Sequence, residues 1–515
     1  MTQAMNLAIF HYHLNRGGVA RVVENHLRAL DAALDPAETW RVALFHGGRR
    51  LDWDDSLGAR LRRVRLSMVE IALLDYDELH GADPSDHGER LGRDVRAALE
   101  RLDFRGEDTL LHFHNHSLGK NRAVPGLIAS LAEDGHAMLL QIHDFAEDFR
   151  PANYRRLASA ASSGELYPQA PAIHYAVLND RDHAILREAG VAQERLHLLP
   201  NPAPALGPMP SQEAARAKLA RLHRVDPSGR LLLYPVRAIR RKNIGEAMFC
   251  ALLAGGDTVL GIGLPALSAT EKPVYEAWKG VAHELDLPCR FELGAGGMTF
   301  LENLAAADAI LTTSVAEGFG MVFLESWLAG RPLVGRDLPE VTADFRRRGL
   351  RLDGLWTRLG VPIDAVGYDR YLRTAVEQYR RAAAAYGEAV PTDLDDQLTG
   401  KIEDGWIDFA DLDEAMQRDV LAVARDDRRF CRRVQQAGPA AAALRATAQS
   451  AGATIAENIA VTEREYSAEA VGRGLAAVYR QAAASHRGGP VCPLGAARRI
   501  LEAFLSPGRF RLLRG

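Results

Sequence analysis

Over about the first 335 residues, short apolar runs alternate with longer stretches whose apolar positions recur every three or four residues. Asn6-Leu-Ala-Ile-Phe10 is such a run. A Gly-Gly turn follows, then a segment that puts Val19, Val22, Val23, Leu27 and Leu30 on one helical stripe. Further strand-like runs are Val42–Phe45, Thr109–Phe113, Met138–Ile142, Ile173–Leu178 and Leu196–Leu199. Near-continuous apolar strands alternating with helices predict a parallel sheet covered on both faces. Pro200–Pro210 is the richest proline cluster of the chain and suits a hinge or linker, because proline removes donors and stiffens the backbone. A second series then begins, with runs at Arg230–Tyr234, Thr258–Ile262, Arg290–Leu293, Ala309–Thr312 and Pro332–Val334.

This pattern predicts an α/β protein with two doubly wound, Rossmann-like parallel-sheet lobes facing a cleft. Ligands of such sheets bind outside the carboxyl ends of the strands. The expected segments are a first lobe at 1–205, a second at 206–344, a helical insertion or lid at 345–464, and a terminal segment at 465–515. In the insertion the strand signal fades, and runs such as YLRTAVEQYRRAAAAYG favour helix. Tyr466–Tyr479 reads as a further amphipathic helix. The tail RRILEAFLSPGRFRLLRG is basic and apolar. It is read as a packing segment, with peripheral contact to an anionic membrane surface as the alternative.

Composition narrows the function. With 47% hydrophobic and 25% charged residues the chain is ordinary globular protein, and a net charge of −4 gives no reason to expect nucleic acid. Cys250, Cys289, Cys431 and Cys492 are too dispersed for a metal site or disulfide framework and read as thiols of a reducing compartment. No stretch is apolar enough to span a membrane, and the first residues lack a signal pattern, so the expected location is the cytoplasm. Oligomeric state is not legible.

The chemistry is expected in two segments of the second lobe. Ser314–Gly330 follows a strand, and Gly318, Phe319, Gly320 and Met321 lead into a helix whose free amides favour phosphate. Glu317 precedes that helix and would turn to sugar hydroxyls. Glu325 lies eight residues on, about 12 Å away if the intervening chain is helical, which resembles the span from hexose to ribose across a diphosphate. In Tyr234–Ala247, Arg237 and Lys242 flank a strand-to-helix turn and could neutralise a leaving diphosphate in place of a metal ion. Arg240 and Arg241 read as solvated. In the first lobe, Gly17 and Gly18 open a helix after a strand, and His143 follows another strand end. His112, His114 and His116 alternate and would share one face, yet no carboxylate or Cys partner makes them a metal site. No metal is expected, nor any cofactor beyond the donor itself.

Glu317-Gly-Phe-Gly…Glu325 resembles the E-x7-E motif of the family 4 retaining glycosyltransferases, which have the GT-B fold. Arg237-x4-Lys242 resembles that family's phosphate-binding pair, Gly17-Gly18 its glycine loop, and Leu199-Pro-Asn-Pro202 the end of its first lobe. Tyr466–Tyr479 resembles its crossing terminal helix. The resemblance covers about 1–345 and 465–485. Asn243 and Pro202 stand where the family has glycine, and the insertion is not part of its common core.

The resemblance implies metal-independent transfer of a hexose, with retention, from a UDP-, GDP- or ADP-linked sugar to a small-molecule or glycan acceptor. Arg237 and Lys242 would bind the diphosphate, Glu325 the ribose and Glu317 the hexose, with His143 beside the reacting carbon. Arg16, Lys120, Arg150 and Tyr154, on first-lobe loops, would suit an acceptor bearing phosphate or carboxylate. A phosphorylase of the same fold and a non-catalytic sugar-nucleotide-binding protein are the alternatives. Gly261-Ile-Gly-Leu-Pro-Ala266 also fits a dinucleotide fingerprint, but Pro265 and the delayed helix spoil the turn.

Overall fold

In the computed structural model, a seven-stranded parallel sheet carries the first part of the chain. The structure describes all residues except 1–4, 16, 81–85, 105–107, 160, 204–205, 447–449 and 515. The strands are β1 (Asn6–Phe10), β2 (Trp40–His46), β3 (Val64–Glu70), β4 (Thr109–His114), β5 (Ala137–Gln141), β6 (Ile173–Val177) and β7 (Leu196–Leu198). Their spatial order is β3-β2-β1-β4-β5-β6-β7. The order reverses between β1 and β4, so the loops leaving those two strands part there and leave a crevice.

Both faces of this sheet are buried, which is why its strands read as unbroken apolar runs. Phe10, Phe45 and Phe113 stack on one face, with ring centroids 4.4 and 4.2 Å apart. Leu7, Ile9, Leu44 and Leu110, offset by one residue, belong to the core on the other face. Helices Gly18–Ala33 and Ala468–Ala483 cover that second face through Val23, Leu27, Leu30, Leu475 and Tyr479. The two helices pack so closely that a Cβ on Gly472 would sit 2.0 Å from the Ala29 carbonyl oxygen. Ser467 caps the terminal helix by accepting from the Ala470 amide. Residues 1–204 and 464–506 form one compact unit.

The second unit comprises 205–463 and 507–515. Its parallel sheet contains β8 (Arg230–Arg237), β9 (Thr258–Leu264), β10 (Cys289–Arg290), β11 (Ala309–Thr312), β12 (Leu333–Arg336) and β13 (Leu355–Trp356), in the order β10-β9-β8-β11-β12-β13. The switch point lies between β8 and β11, the strands that precede the two segments singled out above. Gly261 and Gly263 lie inside β9 rather than in a turn, and a Cβ on Gly261 would meet Leu293 at 2.5 Å. These glycines make room for packing, which removes the dinucleotide reading.

Residues 345–463 carry helices together with β13 and an antiparallel pair, β14 (Gly360–Pro362) and β15 (Trp406–Asp408). The basic tail is divided: its helix Arg498–Leu505 packs in the first unit, and residues 507–515 dock in this one. Phe510, Leu512 and Leu513 are buried, Phe510 meets the Tyr379 ring at 5.2 Å, and Arg511 pairs with Asp411 at 2.5 Å. The apolar side chains of the tail, Ile500, Leu501, Phe504, Phe510, Leu512 and Leu513 among them, are buried in protein. No helix among the described residues is long and apolar enough to cross a membrane.

Candidate active site

The two loops at the switch point of the second unit are stitched together from their own side chains. Tyr234, buried near the end of β8, donates its hydroxyl to the Lys242 carbonyl at 2.9 Å and also meets Ser314 Oγ at 2.9 Å. Thr313 Oγ1 donates to the carbonyls of Lys242 and Asn243 at 3.0 and 3.1 Å. The Val315 amide reaches the Arg241 carbonyl at 2.9 Å. A short 3-10 turn, Arg240–Lys242, ends in Asn243 at φ 52°. Asparagine tolerates this left-handed conformation, which is why it can stand where the resembled family has glycine.

Glu317 is the centre of the cluster. Lys242 Nζ donates to its Oε1, and Arg241 donates to its Oε2 at 2.9 Å and to the Ala316 carbonyl at 2.6 Å. Burial alone would raise the Glu317 carboxyl, but Lys242 and Arg241 outweigh it and hold the group ionised, down to about 2. Burial acts on Lys242 in the opposite sense and lowers it, with Glu317 and Glu325 countering.

Arg241 is therefore not a solvated residue, and neither is Arg240. Arg240 pairs with Glu414, with one contact at 3.0 Å, and its amide donates to Glu271 at 2.7 Å. Arg237 does lie exposed at the end of β8, with a weak 3.5 Å contact to the Pro265 carbonyl.

The spacing of Glu317 and Glu325 does not measure a helical rise. The helix runs only over Val322–Leu328, and residues 318–321 form a turn in which Gly320 has φ 82°. A Cβ on Gly320 would also strike the Phe323 ring at 2.5 Å. Both carboxylates bear on Lys242 instead. Gly318 is half-exposed and Met321 flanks the helix start, whereas the Phe319 ring is buried against Phe345 at 5.2 Å and belongs to the core.

In the first unit the predicted residues gather at the carboxyl edge of the sheet. Gly17 is extended and stands before the helix Gly18–Ala33 without a side-chain cap; both glycines are exposed. His143 is buried. Its amide donates to Asn115 Oδ1 at 2.7 Å, and its Nε2 lies 2.8 Å from His114 Nδ1. Burial, and then His26, push the His143 imidazole down to about 3, so it is neutral at physiological pH. His112 and His114 share a face, with ring centroids 4.1 Å apart, but His116 does not. Asn115 adopts φ 57°, which breaks the alternation and turns His116 to the Leu166 carbonyl, at 3.0 Å. Among the described residues, no three His, Cys, Asp or Glu side chains are arranged to hold a metal ion.

Of the acceptor candidates, Arg16 lies outside the described residues. Arg150 is engaged within its own loop, with Asp144 at 2.6 Å and the Phe145 carbonyl at 3.0 Å, and Tyr154 packs against the core. Lys120 is half-buried with its ammonium 5.0 Å from the Tyr76 ring.

The loop carrying His143 also holds Glu147, buried, accepting from the Tyr167 hydroxyl at 3.0 and 3.1 Å. Burial raises its carboxyl from 4.5 to about 7. The folded state thus binds this proton more tightly than the unfolded chain. The contribution is full below pH 4.5, declines as pH rises towards 7, and is gone above it. A shift of this size corresponds to roughly 3 kcal/mol. Glu147→Gln is expected to flatten unfolding free energy between pH 5 and 8 and to be the more stable form at pH 8. Urea titrations across that range check this, and an unchanged slope would count against it.

No family model matches the chain. The chain is similar to the mannosylglucosyl-3-phosphoglycerate synthase of Petrotoga mobilis, with 28% identity over 424 residues, covering 80% of each chain. Among solved structures, Anabaena HepE in complex with UDP superposes with a TM-score of 0.49 at 14% identity, over 92% of this chain and 98% of that one. Sucrose-phosphate synthase from Thermosynechococcus elongatus superposes with a TM-score of 0.50 at 15% identity, over 93% of this chain and 98% of the other. With its two parallel-sheet α/β lobes, each opening at a switch point, the chain has the GT-B fold.

Proposed function

We propose that this protein is a cytoplasmic glycosyltransferase that moves a hexose from a nucleotide-diphospho-sugar to a hydroxyl of an anionic acceptor, with retention and without a metal. The observation that carries the reading is the cluster at the second unit's switch point. There Lys242 and Arg241 close on buried Glu317, with Glu325 near enough to bear on Lys242 and Arg237 exposed at the strand end. Three cations at strand ends can take the charge of a leaving diphosphate. Two carboxylates beside them suit the hydroxyls of a hexose and a ribose.

On binding, Lys242 and Arg241 turn from Glu317 to phosphate oxygens, and the freed carboxylate accepts from the hexose. The acceptor hydroxyl attacks from the face the diphosphate leaves, and a phosphate oxygen of the donor takes its proton. The protein's part is positioning and charge stabilisation, with neutral His143 beside the reacting carbon. The Petrotoga relative's name supports an acceptor that already carries a hexose on 3-phosphoglycerate.

Thermal shift against UDP-, GDP- and ADP-sugars in EDTA tests the donor, and incubation with glucosyl-3-phosphoglycerate tests transfer. One nucleotide is expected to raise Tm by several degrees, as ligand far above its Kd must, with an α-linked product by NMR. No shift with any of them would overturn the reading.

A further inference from the structure

Four carboxylates around the mouth of the first unit's crevice are paired with cations. Asp75 is taken by Arg49, Asp77 by Arg122 at 3.0 Å, Glu78 by Arg156 at 3.0 Å and Asp144 by Arg150 at 2.6 Å. Lys120 pairs with no carboxylate among the described residues. Its ammonium lies 5.0 Å from the Tyr76 ring centroid, and the Arg49 guanidinium is 5.0 Å from the same centroid. The His13 ring meets Tyr76 at 4.9 Å, and its Nδ1 is buried without a hydrogen-bond partner.

His13, Arg49, Tyr76 and Lys120 come from four loops that hydrogen bonds tie together. The Leu14 amide donates to the Arg49 carbonyl at 2.7 Å, and the Asp77 amide to the Lys120 carbonyl at 2.9 Å. Asn121 Nδ2 donates to the carbonyls of Leu73 and Asp75 at 2.8 and 2.7 Å. Arg49 is held in place by Asp75, which takes its Nε at 2.6 Å, yet its side chain stays 38% exposed and can reach a ligand. His13 is kept from charging, first by burial and then by Arg49, with Lys120 adding to it. An anion here would relieve that repulsion and take hydrogen bonds from both cations.

We infer that Arg49, Lys120 and His13, gathered around Tyr76 at the carboxyl ends of β2, β4 and β1, bind the phosphate- and carboxylate-bearing end of the acceptor. This rests on the glycosyltransferase reading. It assigns the anionic group of a phosphoglycerate-type acceptor to residues other than Arg150 and Tyr154. A row of imidazoles runs from half-buried His13 through buried His11 and His114 to His143. His13 is 5.9 Å from His11 between ring centroids, His11 is 6.3 Å from His114, and His114 is 5.1 Å from His143. An acceptor anchored at Arg49 and Lys120 would lie along this row with its hexose nearer His143.

The test is calorimetric titration of the full chain with 3-phosphoglycerate, and separately with UDP and GDP. Lys120→Ala is expected to weaken 3-phosphoglycerate at least about 10-fold, the scale of one charge-assisted contact, and to leave nucleotide affinity unchanged. Lys120→Arg should restore most of the loss. With glucosyl-3-phosphoglycerate as acceptor, the acceptor KM should rise in Lys120→Ala and the donor KM should not. Nucleotide binding together with 3-phosphoglycerate affinity indifferent to Lys120 would overturn the site alone. So would 3-phosphoglycerate binding that is lost in Lys242→Ala, because the anion would then be occupying the diphosphate site. Absence of both nucleotide binding and transfer would instead overturn the reading beneath it.

Discussion

Lys242→Ala is expected to lower kcat/KM for glycosyl transfer by roughly 100-fold or more, with most of the loss in kcat. The direction follows from what Lys242 touches. It is mostly buried, its partner Glu317 is held ionised, and its carbonyl is fixed by Tyr234 and Thr313. A cation so fixed loses little freedom when a diphosphate arrives and gains most as the leaving charge develops. Removing one such donor from a preorganised site costs about 3–4 kcal/mol of transition-state stabilisation. Glu317 keeps Arg241 as a partner in Lys242→Ala, so the fold should survive, and an unchanged melting curve would show it. Glu317→Ala is the harsher change, since it strands Lys242 in a buried place without its anion. Arg237→Ala should cost less than either, because Arg237 is exposed and screened. Steady-state kinetics of the three variants give the order, and wild-type turnover in Lys242→Ala would overturn the assignment.

What could be read from the sequence divides along physical lines. Buried parallel strands announce themselves because both of their faces are apolar, so β1, β4, β5 and β6 lie within a residue or so of their expected places. The edge strand β3 did not, since Val64–Glu70 mixes buried Val64 and Val69 with exposed Arg65 and Glu70 and carries no clear run. The carboxylate Glu317 and the cation Lys242 were legible as chemistry at strand ends. Which of the adjacent cations Arg240, Arg241 and Lys242 turns inward was not. That depends on a 3-10 turn and on Glu414, which takes Arg240 from 174 residues away. The Arg49–Tyr76–Lys120 group was hidden for the same reason, being assembled from three loops whose proximity is a property of strand order. The tail was ambiguous because a basic, leucine-rich segment suits a membrane or a buried acidic site equally well, and Asp408 and Asp411 lie about a hundred residues upstream.

Those two aspartates belong to a buried charge network on which the loop carrying Lys242 rests, and breaking it should give the largest loss of stability. Arg336, 2% exposed, donates to Glu246 at 2.8 Å and to Asp408 at 2.7 Å, and its NH1 also reaches the Thr357 carbonyl at 3.0 Å. Arg511 pairs with Asp411 and Asp408, and Lys401 with Asp411 at 2.9 Å, so three cations balance three carboxylates. Glu246 in turn accepts from Asn243 Nδ2 at 2.6 Å, and Gln417 donates to Asn243 Oδ1 at 2.9 Å. The residue after Lys242 is thus clamped by two groups, of which Glu246 is itself held by Arg336. Arg336→Met would leave Glu246 and Asp408 buried without the cation they share, a change that costs about 3–5 kcal/mol. In a unit of this size that corresponds to a fall in Tm of roughly 10 °C. Because one of the two clamps on Asn243 is then loosened, nucleotide-sugar affinity should fall as well, although Arg336 lies buried away from the surface. Adding Glu246→Gln and Asp408→Asn to Arg336→Met should recover much of the stability by removing the stranded charges, yet not the affinity, since the clamp on Asn243 stays altered. A loss below about 1 kcal/mol in urea unfolding would mean that water or a rearranged Arg511 compensates the carboxylates. The network would then be a bystander to the loop it adjoins.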